Sequence, residues 1–139
     1  MAAKVKIASR LLRAWAILWA SPASLLGLAA GLSGLATGGG VQHCGRVVEF
    51  WGGAVTWLLR HFPLLKGAAA VTFGHVVLGQ TPGDLESCRD HELVHVRQYE
   101  RWGPLFLPAY LGCSLVLWLC GRNYYLDNPF EVKAFREAP

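Results

Sequence analysis

Five residues, His91-Glu92-Leu93-Val94-His95, carry the densest chemistry in the chain. They read H-E-x-x-H. On an α-helix, side chains four apart lie on one face, so His91 and His95 can present their imidazoles to one point. Two imidazoles at one point suit a zinc ion. Glu92, beside the first ligand, is placed to take a proton from a water held by that ion. A catalytic zinc with two histidines needs one more protein ligand and an open position. Glu131 is the leading candidate, far enough downstream for one intervening helix and a return. Asp127 is the alternative, followed by Glu100, His75 and Glu137. For transition-state or substrate contacts the candidates are His75, Tyr99, Tyr124 and Tyr125.

The motif requires a helix, and its flanks supply one. Asp84 is the expected cap, and Gly103-Pro104 ends the run after Trp102. Arg89, Asp90, Arg97, Glu100 and Arg101 surround the motif, so this helix belongs in water or at an interface, not across lipid. Cys88, one turn before His91, reads as a buried structural thiol. Upstream, Arg46 to Trp51, Ala54 to Leu59 and Ala69 to Leu78 are rich in Val, Phe, Trp and Thr and are separated by Gly- and Pro-containing breaks. They predict a small antiparallel β-meander, with Ala54 to Arg60 open to a helical turn instead. The third run leads through Gln80-Thr81-Pro82-Gly83 to the motif helix. A strand beside such a helix can pair with an extended substrate through its edge. Downstream, Asn128 caps a last helix, Pro129 takes its first position and Glu131 its third. Glu131 can therefore be half of a capping box as well as a metal ligand.

The chain has 139 residues, 53% of them hydrophobic and 16% charged, with a mean hydropathy of +0.33. One domain with an appendage fits this length, and membrane contact fits this composition. Lys4, Lys6, Arg10 and Arg13 precede an uncharged stretch from Ala14 to Val41. Ala14 to Ala36 is long enough to cross a bilayer, and is read as an uncleaved anchor with Pro22 as a tolerated kink. A cleaved signal peptide is the rival, but the apolar run continues past any such site. The preceding cations place the N-terminus in the cytoplasm and the zinc domain at the extracytoplasmic face. Arg46, Arg60 and Lys66 beyond the run reduce that asymmetry. Gly27 and Gly31 form a GxxxG pair suited to a helix partner or a homo-oligomer. A second apolar segment, 103–120, is expected to fold back along the motif helix as a helical hairpin. A full span would instead put Asp127 and Glu131 across the membrane from the histidines.

The expected architecture is α+β: a membrane anchor and hinge over 1–41, and a minimal metal domain over 42–139. The scattered basic residues form no stripe with interleaved aromatics, so nucleic acid is excluded as a partner. Lipid and a peptide or protein substrate are the expected partners. The four cysteines contain no C-x-x-C, which argues against a disulfide framework or an all-cysteine zinc site.

With these segments in view, the chain resembles zincin metallopeptidases, specifically minimal gluzincins, through His91, Glu92 and His95 and the Asn-Pro-Phe-Glu segment ending at Glu131. It also looks like small bacterial membrane-associated proteins with a G-H-V-V strand (Gly74 to Val77), an H-E-x-x-H-V-x-Q helix (His91 to Gln98) and a D-N-P-F-E ending (Asp127 to Glu131). The resemblance covers about residues 46 to 137. It implies a zinc peptidase in which His91, His95 and Glu131 bind the metal and Glu92 is the general base. A second resemblance is to site-2-type intramembrane proteases, of which Leu126-Asp127-Asn128 is an echo, though the charges around His91 keep the motif out of the lipid. Two other classes compete: a non-catalytic membrane protein with a structural metal site, and an assembly subunit.

Overall fold

A computed structural model describes residues 1–65 and 67–139; Lys66, weighed above for topology, lies outside the described residues. The elements in order are α1 (Ala2–Ala36), β1 (Gly40–Cys44), β2 (Val47–Trp51), α2 (Gly53–His61), β3 (Ala70–Phe73), β4 (Val76–Gly79), α3 (Pro82–Trp102), α4 (Phe106–Leu119) and α5 (Pro129–Glu137), with a 3-10 turn at Gly103–Leu105 between α3 and α4. The architecture is α+β, as expected.

The sheet differs from the expected meander. Its order is β1-β2-β4-β3, and β2 runs parallel to β4 while both outer pairs are antiparallel. Two features of the sequence explain this. The run from Ala54 to Leu59 is helical: its buried residues, Val55 and Leu59, are four apart, a helical spacing. The run from Ala69 to Leu78 is two strands joined at Gly74-His75, where Gly74 has φ +63°. The helix between β2 and that hairpin lets β4 return parallel to β2. One strand, β1, follows the glycine turn at 38–40 and was not anticipated.

The second half of α1 is part of the core. Ala20 and Ala23 are buried with Tyr99 and Phe106, and Phe50, Val55, Leu59, Val76 and Leu78 form a second cluster. The small residues let the sheet approach. A Cβ at Gly27 would lie 2.8 Å from Val76 Cβ, one at Gly31 would strike the Phe50 ring, and one at Gly34 would lie 2.6 Å from Val55 Cγ2. The Gly27 and Gly31 face is therefore occupied by the chain's own sheet, and a helix partner there would have to displace it. The segments Ala3–Ala36 and Pro82–Leu119 each contain a stretch apolar enough, by length and composition, to cross a membrane.

Helix α3 is fixed at both ends and at its middle. Thr81, not Asp84, is the N-cap: its hydroxyl oxygen accepts the Asp84 N–H at 3.1 Å, and its O–H donates to the Asp84 carboxylate at 2.8 Å. Pro82 takes the first turn, where no N–H is needed. Gly103 ends the helix with φ +57° beneath the Trp19 indole. On the sheet side, Arg89 donates two hydrogen bonds of 3.1 Å to Glu49, a carboxylate only 1% exposed on β2, and Gln42 donates a third at 2.6 Å. That buried charge is satisfied only while α3 sits in this register against β2.

The candidate metal centre

His91 and His95 lie one turn apart on α3, and Glu131 is brought to them by α5. His91 Nε2 is 3.0 Å from Glu131 Oε2, His95 Nε2 is 3.3 Å from Glu131 Oε1, and the two Nε2 atoms are 3.2 Å apart. All three candidate ligand atoms lie within 4.8 Å of one another. A tetrahedral ion with bonds of about 2.0–2.1 Å holds its ligand atoms roughly 3.3 Å apart, so the donor set fits a small cation with little rearrangement. The side chains are 14%, 8% and 5% exposed for His91, His95 and Glu131.

The route that delivers Glu131 is local. Helix α4 does not continue α3. In a straight helix His95 and Tyr110 would be about 22 Å apart along the axis, yet their rings lie 6.4 Å apart. The chain bends at the Gly103 turn and folds back, so that Phe106 packs on Tyr99 with ring centroids 4.3 Å apart. It then returns along α4: Ser114 donates to the Tyr124 carbonyl at 2.9 Å, and the Asn128 amide donates to the Tyr110 carbonyl at 3.1 Å and to Ser114 at 2.9 Å. Asn128 also caps α5, accepting the Phe130 N–H at 3.0 Å. With that cap made by Asn128 alone, the Glu131 carboxylate is turned to the two imidazoles and accepts a 2.7 Å hydrogen bond from the Tyr110 hydroxyl.

A surrounding layer orients these groups. The His95 Nδ1–H donates to Gln98 Oε1 at 2.8 Å, and the Gln98 amide donates to the Phe130 carbonyl at 3.1 Å. This bond turns Nε2 of His95 toward the centre. Phe135 packs against the His91 ring at 4.6 Å. Glu92 is buried, and its Oε2 accepts a 2.6 Å hydrogen bond from the Thr72 hydroxyl of β3.

Electrostatics separate the two glutamates. Burial dominates at Glu92 and raises its pKa, with the charge on His95 and the Thr72 hydrogen bond offsetting it only in part. At Glu131 burial also opposes ionisation, but hydrogen bonds from His91, His95 and Tyr110 outweigh it and hold the pKa down at about 2. Burial alone would disfavour the His95 imidazolium, yet its hydrogen bond and charge interaction with Glu131 prevail and raise its pKa.

Of the remaining sequence candidates, Tyr125 stands beside the centre, and the others lie in other arrangements. His75 Nε2 is 2.9 Å from Glu100, which also pairs with Arg46 at 3.1 Å. Asp127 accepts the Asn123 N–H at 3.0 Å and pairs with Arg122 at 3.3 Å, in the turn before α5. Glu137 pairs with Arg97 and Lys133 at the surface. Tyr99 is 1% exposed and packed on Phe106, whereas Tyr124 is 53% exposed. Tyr125, 40% exposed, stands edge-on to Phe135, and burial and then the Glu131 charge raise its phenol pKa. Cys88 is partly exposed, and burial raises its thiol pKa.

Sequence reasoning missed Thr72, Gln98 and Tyr110. Gln98 carried a readable signal, since it follows His95 by three on one helix face. The other two reach the centre only through tertiary folding. Comparison with known protein families, with curated proteins and with solved structures gives no match to this chain, so the candidate centre rests on these residues and their geometry.

Proposed function

We propose that the chain is a membrane-associated, zinc-dependent metallohydrolase acting on peptide bonds. The observation that carries this reading is the convergence of His91, His95 and Glu131 on one point, with a buried glutamate beside the first histidine. Zinc held there supplies Lewis acidity, polarising a carbonyl and making water acidic near neutral pH. Glu92, whose burial raises its affinity for a proton, accepts the proton from water and passes it to the leaving amine. Thr72 holds that carboxylate from β3, and Gln98 fixes the His95 tautomer. As the end strand of the sheet, β3 offers an edge to an extended peptide, which supports a peptide substrate. Residues 42–139 carry the catalytic unit and 1–41 the membrane contact, with the second half of α1 serving both.

The test is three single variants of the purified full chain. Glu92→Gln is expected to retain stoichiometric zinc while peptide hydrolysis falls by about 10²–10⁴. His91→Ala and His95→Ala are each expected to lose the zinc. Zinc retained in both histidine variants contradicts the metal centre.

The low exposure of the three ligands favours a second reading, a closed structural metal site in a non-catalytic membrane protein. In that case Glu92→Gln keeps the zinc and leaves the protein's biological role unchanged.

A further inference from the structure

Helix α1 carries one exposed apolar stripe along its length and, over its second half, an opposite face turned to the protein. Ile7, Leu11, Trp15, Leu18, Leu25 and Leu32 recur at spacings of three, four and seven, which places them on one stripe. Each is more than half exposed, from 56% to 69% with the neighbouring Leu12. The rest of the first half mixes Lys6, Arg10 and Arg13 with the exposed Val5, Leu12 and Ile17, whereas the opposite face of the second half turns Ala20, Gly27, Gly31 and Gly34 to the body of the protein.

This division conflicts with an upright span. A 23-residue crossing over Ala14–Ala36 is about 34 Å long, the whole hydrocarbon core. Gly27, near its midpoint, touches β4, and Ser24 accepts the His75 N–H at 3.0 Å. His75 carries Glu100 and Arg46 with it, and Trp19 lies 3.4 Å from the Arg101 carbonyl. Standing upright, α1 would draw these charged groups and the ends of an open sheet into lipid. Neither is tolerated there: each charge costs several kcal/mol, and strand edges leave backbone groups without partners. Nor does α4 cross. At 14 residues it is about 21 Å long, and the chain after it returns to the same side to deliver Glu131.

We infer that α1 lies in the plane of an anionic lipid surface, its Ile7-to-Leu32 stripe in the acyl region and Lys6, Arg10, Arg13 and the sheet on the water side. This inference rests on the membrane association proposed above and replaces a crossing helix with one that only enters the interface. It fits the chemistry of the partner. The apolar stripe matches the acyl boundary, and Trp15 suits its headgroup level. Lys6, Arg10 and Arg13, with Lys4 near the N-terminus, attract anionic headgroups. The N-terminus and the metal centre then share one side of the membrane.

The test adds the full-length protein to preformed sealed vesicles of phosphatidylcholine, with and without phosphatidylglycerol, followed by flotation and by labelling with a membrane-impermeant amine reagent. Stronger flotation with phosphatidylglycerol is expected, with Lys4, Lys6 and Lys133 all labelled from outside. Leu18→Glu/Leu25→Glu, at exposed positions, is expected to keep its circular dichroism spectrum and lose vesicle affinity at least about ten-fold. Lys6→Glu/Arg10→Glu/Arg13→Glu is expected to abolish the preference for phosphatidylglycerol. Flotation with Lys4 and Lys6 protected overturns the in-plane arrangement while leaving membrane association intact. Absence of flotation, with or without a stable dimer by light scattering, overturns both.

Discussion

Glu92 and Glu131 are the same residue type placed in opposite electrostatic settings within one site. Burial pushes the first toward its protonated form, while Tyr110 and the two imidazoles keep the second ionised. Groups driven apart in this way are suited to separate roles, one exchanging protons and one holding charge. The histidine layer is equally specific, because Gln98 fixes which nitrogen of His95 is free. Gln98→Leu is therefore expected to lower zinc affinity about 10–100-fold without unfolding the chain, measured by competition with a chromophoric chelator. The metal-free protein has a signed pH dependence. Glu131, depressed from 4.5 to about 2, contributes stability that is present above about pH 4.5 and lost as pH falls toward 2. His95, raised above 6.5, contributes stability that is full below 6.5 and lost as pH rises through its raised value. Glu92, raised above 4.5, contributes stability that is full below 4.5 and lost as pH rises through its raised value. Urea midpoints measured with a chelator present are expected to peak near pH 4.5, falling below it as Glu131 is protonated and above it as Glu92 and then His95 lose their protons. The two histidines and Glu92 were legible from spacing alone, and Glu131 from its place after a return. Thr72 and Tyr110 were not, since a hydroxyl in a strand and one phenol in an apolar run acquire meaning only when folding brings them to a carboxylate.

Among the elements, the helices were easier to read than the sheet. Helix α3 announces itself by a cap, a proline at its start and a glycine at its end, even though the cap is Thr81 and not Asp84. The run around Val55 has the β-branched and aromatic composition of a strand, yet its buried residues repeat at helical spacing, and tertiary burial decides. Gly74 looked like a strand glycine and is the turn of a hairpin. The GxxxG spacing of α1 was legible, but its partner was not: small residues permit any close neighbour, and here that neighbour is a sheet. Gly31→Leu is accordingly expected to destabilise the fold by roughly 3 kcal/mol or more, since the side chain would overlap Phe50. Thermal unfolding of the variant measures this. An unchanged midpoint would mean that α1 does not pack on the sheet.

At the scale of the whole molecule, the fold joins two demands. A hairpin of α3 and α4 and a return through Asn128 bring three candidate ligands together from two helices, while α1 holds the sheet on one face and leaves an apolar stripe on the other. Composition signalled membrane contact, but only the packing of the sheet on α1 bears on how that contact is made. The central claim is that His91, His95 and Glu131 bind one zinc ion. The most direct measurement is zinc-edge X-ray absorption on the full chain loaded with one equivalent of zinc, beside Glu131→Ala. The expected spectrum shows two imidazole nitrogens at about 2.0–2.1 Å with oxygen ligands completing the shell, and Glu131→Ala changes that shell and weakens binding. A spectrum without imidazole scattering, or one that Glu131→Ala leaves unchanged, would contradict it.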